Sequence, residues 1–194
     1  MSIITVTGPS GVGKSTLVAN LLATGPDFRV VRSVTPSRKP RDGDNLDEYL
    51  KVTEEQFASM AIDGQFLWVT DVIHGNLFAT ERDEVVRALE SPEKYLMIIS
   101  VAHAPILTGF AMETEDLVIP VFLMSPGEVE LHRRISERPG STPEDTDRRL
   151  AECANWESTA RTQSIPRYHF VDTRGTPASV CSAVLRLIAE KFPS

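Results

Sequence analysis

Cysteine is scarce in this chain: Cys153 and Cys181 are the only two in 194 residues. They form no CxxC spacing and no metal-ligand pattern, which excludes a disulfide scaffold and a cysteine-based metal centre. Both fall in segments that read as helices, so buried free thiols are expected. Long apolar runs are also missing. None approaches the ~20 residues that a membrane-spanning helix needs. An excess of positive charge is missing too. Lys and Arg number 20 against 27 Asp and Glu, for a formal net charge of −7. A nucleic-acid polymer is therefore not an expected partner, because binding one needs a net basic surface. A nucleotide stays compatible, since a local arginine cluster binds phosphate on an acidic protein. Internal repeats and low-complexity tracts are absent. The first strand opens at Ile3 and leaves no room for a signal peptide, so a cytoplasmic location is the expectation. Nothing in the chain fixes an oligomeric state.

What is present is ordinary for a globular domain: 41% apolar and 24% charged residues, in a length that suits one core. One stretch stands out. Gly8-Pro9-Ser10-Gly11-Val12-Gly13-Lys14-Ser15 reads G-x-x-x-x-G-K-S. The short β-branched run Ile3 to Thr7 precedes it, and the helix-like run Thr16 to Leu22 follows. A phosphate-binding loop needs this strand–turn–helix context. The glycines let backbone N–H groups close around phosphate oxygens, and the helix N-terminus adds favourable partial charge. Lys14 is expected to reach the β/γ-phosphates of ATP, and Ser15 to ligate Mg²⁺. Gly8 to Thr16 form the expected ATP-binding set.

The rest of the chain alternates strands with helices. The first helix is expected over Lys14–Ala23, stopped by Gly25-Pro26. Phe28 to Val34 reads as one strand. Thr35 to Asp44 is a polar loop whose Arg38, Lys39 and Arg41 sit on a stiff proline-rich backbone. From composition alone it is equally an anion clamp or a solvated basic loop. Thr53 to Gln56 looks like a capping start, with Phe57, Met60 and Ala61 on the apolar face. Gln65 to Ile73 is strand-like, and His74 to Asn76 a turn. Thr80 is read as the cap of a helix through Glu90, with Val85, Val86 and Leu89 inward. Tyr95 to Val101 and Leu117 to Met124 are apolar enough for central parallel strands. A helix from Ser125-Pro126 to about Arg138 is followed by a Pro/Gly break. One long helix then runs from Pro143 to about Thr162. A strand at Tyr168–Val171 and a helix from Pro177 to about Lys191 complete the chain. This order predicts an α/β fold, a doubly wound parallel sheet with helices on both faces and ligands at the carboxyl ends of the strands.

With these pieces placed, the chain resembles the guanylate kinase family of nucleoside monophosphate kinases, nearly end to end. Gly8 to Leu17 looks like that family's P-loop. Arg38-Lys39-Pro40-Arg41-Asp42-Gly43-Asp44 looks like its R-x-P-R-x-G-E acceptor loop, and Glu48-Tyr49 followed by Val52 like its D-Y-x-F-V segment. Leu131 through Arg138, then Arg148-Arg149-Leu150, looks like its lid. The resemblance implies a core (1–34, 81–137, 148–194), an acceptor-binding insert (35–80) and a lid (138–147). It implies ATP with Mg²⁺ as donor and a phosphate-bearing small molecule as acceptor, most simply GMP or dGMP. Arg38, Arg41 and Tyr49 would hold the acceptor phosphate. Arg134, Arg138 and Arg149, with Lys14, would surround the transferring phosphoryl group.

The chain departs from the family in its acceptor base pocket. Val34, Trp68, Ile98 and Ser100 stand where the family carries a serine and three carboxylates. Leu77 and Phe78 replace paired tyrosines, which removes a phosphate-binding hydroxyl. Asp71, Thr80 and Ser100 are the candidates to restore base contacts. Two alternatives stay open. Ser100-Val101-Ala102-His103-Ala104-Pro105 looks similar to an S-x-A-H-x-P pattern of ribose 1,5-bisphosphate kinases, which have no base to bind. Guanylate kinase-like domains also serve as inactive protein-binding scaffolds, although Lys14, Ser15 and the three arginines argue against that here. Trp156 is read as a core residue rather than an adenine platform.

Overall fold

The computed structural model describes residues 2–25, 27–36, 48–73, 76–113 and 117–191; the side chains of residues 2, 70–73, 117, 152 and 153 are left aside. Nine strands and eight helices occur among them. The strands are β1 (Ser2–Thr7), β2 (Phe28–Val30), β3 (Ser33–Thr35), β4 (Tyr49–Lys51), β5 (Phe66–Ile73), β6 (Asn76–Glu81), β7 (Lys94–Ile98), β8 (Leu117–Leu123) and β9 (His169–Val171). The helices are α1 (Lys14–Ala23), α2 (Glu54–Ile62), α3 (Arg82–Glu90), α4 (Ala104–Glu113), α5 (Glu128–Ser136), α6 (Pro143–Cys153), α7 (Trp156–Thr162) and α8 (Pro177–Lys191). None is long and apolar enough to cross a membrane.

Five strands form a parallel sheet in the order β2-β7-β1-β8-β9. Alternation along the strands sends successive side chains to opposite faces. Ile4, Val6, Val121 and Leu123 pack with Leu17, Val18 and Leu21 of α1 and Val180, Val184 and Ile188 of α8. Ile3, Met97 and Phe122 face the other way, onto Val85, Ala88 and Leu89 of α3 and Ala104, Leu107 and Ala111 of α4. Strands covered on both faces need near-continuous apolar sequence, which β1, β7 and β8 have. Truncating a fully buried Ile4 or Leu107 to Ala should cost about 2–5 kcal/mol. The expected α/β class, with helices on both faces, is the one observed.

A second sheet, β4-β3-β6-β5, buries Val34, Phe57, Phe66 and Ala79 against α2. The helix begins with the expected capping box: Thr53 accepts from the Gln56 N–H, and the Gln56 side chain accepts from the Thr53 N–H. Phe57 faces inward, but Ala61 is exposed.

Several expectations are corrected. Phe28 to Val34 is two strands in two sheets. The Val31 N–H still donates to Leu96 O at 2.9 Å, and the chain then crosses to pair with β4 and β6. Thr80 caps nothing. It lies inside β6, 2% exposed, and α3 starts after Glu81, which makes no side-chain cap bond. Val86 is half-buried, and Ala88 takes the inward position beside Val85 and Leu89. The helix after Pro143 breaks at Ala154–Asn155 into α6 and α7. Helix α5 starts later and ends earlier than expected, so Arg138 lies beyond its end. Helix α4 was not expected at all.

Candidate functional site

The loop between β1 and α1 is built by its glycines. Gly8 has φ +151°, and a Cβ there would lie 2.6 Å from Leu123 O on the neighbouring strand. No larger residue fits that approach. Gly13 caps α1 in the left-handed region, φ +105°, without any side-chain cap bond. The first turn of α1 carries no acidic residue. Its N–H groups and positive helix end are thus left for an outside anion. Lys14 folds back over the loop. Its Nζ donates to Gly8 O at 2.7 Å and Pro9 O at 2.9 Å, and lies 5.9 Å from the centroid of the Trp156 ring. Trp156 is half-buried against the α3/α4-side core, so it serves packing and the lysine together. Ser10 is buried inside the loop, while Thr16 is exposed on the first turn of α1.

Ser15 Oγ donates to Glu48 Oε2 at 3.2 Å, and Glu48 is only 4% exposed. A hydroxyl beside a carboxylate is a hard-oxygen pair, the donor type that fits Mg²⁺. Among the described residues, no group of three or more His, Cys, Asp or Glu side chains could hold a metal. Mg²⁺ does not need one, since it keeps several waters and takes one or two protein ligands beside substrate phosphates.

The arginines of α5 and α6 are gripped by acids one turn away. Arg134 Nε donates to Glu130 Oε1 at 2.7 Å, and Arg133 binds both oxygens of the same carboxylate at 2.8 Å. These two guanidinium groups hold the Glu130 carboxyl down to about 2. Arg149 is 3% exposed, and its Nε donates to Asp145 Oδ2 at 2.6 Å. Among the described residues its buried Nη2 finds no hydrogen-bond acceptor. An unsatisfied buried donor is costly, and a phosphate oxygen is the partner that would relieve it. Arg134 and Arg138 share with Gly11, Gly13, Thr16 and Thr173 the lining of a cleft of about 370 Å³. The fold therefore brings the loop and two of the three arginines to one cavity.

On the acceptor side the residues are placed unevenly. Arg38 and Arg41 lie outside the described residues, as do His74 and Gly75 of the expected turn. Asp71 belongs to β5, with its side chain outside the described set. Tyr49 opens β4, and its ring centroid lies 5.9 Å from that of Phe78 on β6. Thr80 is buried opposite Trp68 in the β5–β6 ladder. Ser100 follows β7, and its Oγ is hydrogen-bonded to His103 Nδ1 at 2.7 Å. The His103 ring stacks on Trp68, with centroids 5.5 Å apart at 18°. Trp68 is buried in the main-sheet core, and Val34 is 1% exposed beneath the small sheet. Both contribute packing to the core.

Glu48, Trp156, Glu130 and Asp145 were missed as parts of the site. The Glu130–Arg134 and Asp145–Arg149 pairs carried a readable signal in their i,i+4 spacing. Glu48 was read only as part of the segment with Tyr49 and Val52, and Trp156 only as core, because their contacts to the loop are tertiary.

The chain is similar to known proteins along most of its length. A sequence profile described as guanylate kinase matches residues 1–173. The chain is 36% identical over 162 residues to a guanylate kinase of Streptomyces kasugaensis, covering 81% of this chain and 74% of that one. It is 32% identical over 188 residues to a guanylate kinase of Prochlorococcus marinus subsp. pastoris, covering 96% of each. A crystal structure of guanylate kinase from Anaplasma phagocytophilum shares the fold at a TM-score of 0.69 and 16% identity, covering 100% of this chain and 87% of that one.

Proposed function

The chain belongs to the guanylate kinase family, and from that premise we propose that it transfers the γ-phosphoryl group of ATP to GMP or dGMP. The observation that carries this reading is the cleft that Gly11, Val12 and Gly13 of the loop and Thr16 of α1 share with Arg134 and Arg138. Phosphoryl transfer needs little covalent help from a protein. It needs in-line positioning and cations around the equatorial oxygens. The backbone N–H groups of Gly8 to Gly13 and the Lys14 ammonium bind the donor phosphates. Lys14 exchanges its carbonyl partners in the loop for phosphate oxygens. Ser15 offers its hydroxyl to Mg²⁺. Mg²⁺ held there would supply positive charge against the phosphate oxygens. Arg134, Arg138 and Arg149 point donors at the phosphoryl group, and the Nη2 of Arg149, without an acceptor among the described residues, gains one.

The acceptor is bound by the small sheet and the segment that precedes β4. We assign residues 35–80 to an acceptor-binding insert, 138–147 to a lid and the remainder to the core. Arg38, Arg41 and Tyr49 take the acceptor phosphate, with Phe78 supporting the Tyr49 ring. Thr80, Ser100 and Asp71 are assigned to the base side. A second reading, a sugar phosphate such as ribose 1,5-bisphosphate or another monophosphate, is favoured by the burial of Trp68 and Val34. A coupled assay of ADP release decides between them. GMP-dependent turnover supports the first reading, and turnover with ribose 1,5-bisphosphate alone supports the second. No turnover with any acceptor and no ATP binding would remove both.

A further inference from the structure

Few carboxylates are in place to support the cation. Ile98 at the end of β7 and Ser100 just after it stand where the family resemblance implies carboxylates, and the Ser100 hydroxyl is hydrogen-bonded to His103. Strand β8 runs into Met124 and Ser125 without an acidic residue. The carboxylate that does reach the P-loop arrives from elsewhere. Glu48 comes from the edge of the small sheet, 33 residues further along the chain, and touches the Ser15 hydroxyl at 3.2 Å while 4% exposed.

Resting on the phosphotransferase reading, we propose that Glu48 is the carboxylate of the Mg²⁺–ATP site, a positioning residue that orients Ser15 Oγ toward the cation. A carboxylate behind a ligating hydroxyl fixes its orientation and raises its basicity, and loss of such a partner costs about 10–100-fold in metal affinity. The burial fits this role, because a nearby divalent cation offsets the desolvation of the charge. The position adds a coupling. Glu48 lies just before β4, which begins at Tyr49. Glu48 turns to the loop, while the ring of the next residue, Tyr49, lies against Phe78. One dipeptide thus serves the donor metal with its first residue and the acceptor with its second.

The test is ATP affinity by titration calorimetry, in excess EDTA and in saturating Mg²⁺, for the unmodified chain, E48Q and E48D. In Mg²⁺, E48Q is expected to bind ATP about 10-fold more weakly or worse. In EDTA it should stay within about twofold of the unmodified chain, since Glu48 reaches ATP only through the cation. E48D should recover part of the loss. An equal loss in both conditions would make Glu48 a structural contact and overturn the proposal, as would no loss in either. Should E48Q fail to fold, E48D carries the test: a shift in Mg²⁺ alone supports the proposal, and equal shifts or none overturn it. ATP binding by the unmodified chain, with E48Q unaffected, defeats this inference alone. No ATP binding under either condition defeats the kinase reading with it.

Discussion

Arg149 hangs from Asp145 by its Nε, at 2.6 Å, with the rest of its guanidinium buried in the protein. Arg134 is held by Glu130 in the same way, through Nε and one turn N-terminal. In each pair the acid takes the Nε edge of the guanidinium, so a bound anion would meet the terminal nitrogens. The acids therefore aim the arginines as well as neutralising them.

Arg149→Ala should lower kcat by about 100-fold or more and leave acceptor KM within a few-fold, as loss of a transition-state donor does. Asp145→Ala should lower kcat less but cost about 1–3 kcal/mol of stability, because the buried guanidinium loses its charged partner. Steady-state kinetics and urea unfolding of both variants check this. A raised KM with unchanged kcat in Arg149→Ala would make the residue a ground-state binder.

Lys14→Ala should cut turnover by orders of magnitude while leaving the melting temperature nearly unchanged. The lysine donates to loop carbonyls and lies over the face of Trp156, and its own side chain is not buried in the core. Turnover at the unmodified rate would separate the loop from catalysis.

Gly8→Ala should destabilise the protein by about 1–3 kcal/mol and weaken ATP binding. The added Cβ meets a backbone oxygen, Leu123 O, and neither strand can yield without disturbing β1–β8 pairing. Thermal melts and calorimetry read the two effects separately. Gly13→Ala, where nothing lies within 4 Å of the new carbon, should show the strain of positive φ without the clash.

Glu130 gives a pH signature. Arg133 and Arg134 hold its carboxyl at about 2 against an ordinary 4.5. Between those values the unfolded chain binds more protons than the folded one. The contribution of the cluster is therefore complete above pH 4.5 and is lost as pH falls toward 2. Glu130→Gln should flatten that part of the melting profile at low salt, and high salt should erase the difference, because the cluster is solvent-exposed. Parallel profiles for both proteins at low salt would show that the cluster adds nothing.

Base selectivity is the sharpest functional expectation. If, as the resemblance implies, Trp68 and Val34 stand in place of polar groups at the proposed acceptor site, apolar contact should contribute most of the discrimination, worth about 1–3 kcal/mol. GMP should be preferred over AMP, CMP, UMP and dTMP by no more than about 200-fold in kcat/KM. A preference of 10⁴ or more would show that a polar group, with Asp71 the leading candidate, reads the base.

The sequence was legible where local rules decide structure. The Gly8–Ser15 loop, the Thr53–Gln56 capping box and the apolar central strands each announce themselves within a few residues. Helix α4 did not, because Ala104-Pro-Ile-Leu-Thr-Gly-Phe-Ala-Met-Glu has charge only at its end and no polar face to reveal a period. Thr80 misled because threonine before acidic residues is equally a cap and a strand residue, and only pairing with β5 decides it. The break between α6 and α7 has neither glycine nor proline to mark it. At the site, spacing reached the three arginines, whereas Glu48 needed the small sheet to be folded against the P-loop.

The passage from β2 to β3 takes two residues, Val31 and Arg32, and the passage back from β6 to α3 takes none. The two crossings are neighbours, because β3 and β6 pair at Val34 and Ala79. A residue spans at most about 3.6 Å, so tethers this short let the small sheet swing about their common line but not slide away from it. Tyr49 pairs with Ser33, the first strand residue past the crossing, and so lies almost on that axis. Any swing is therefore spent at the far end of the sheet, while Glu48 and Tyr49, close to the pivot, keep station beside the P-loop.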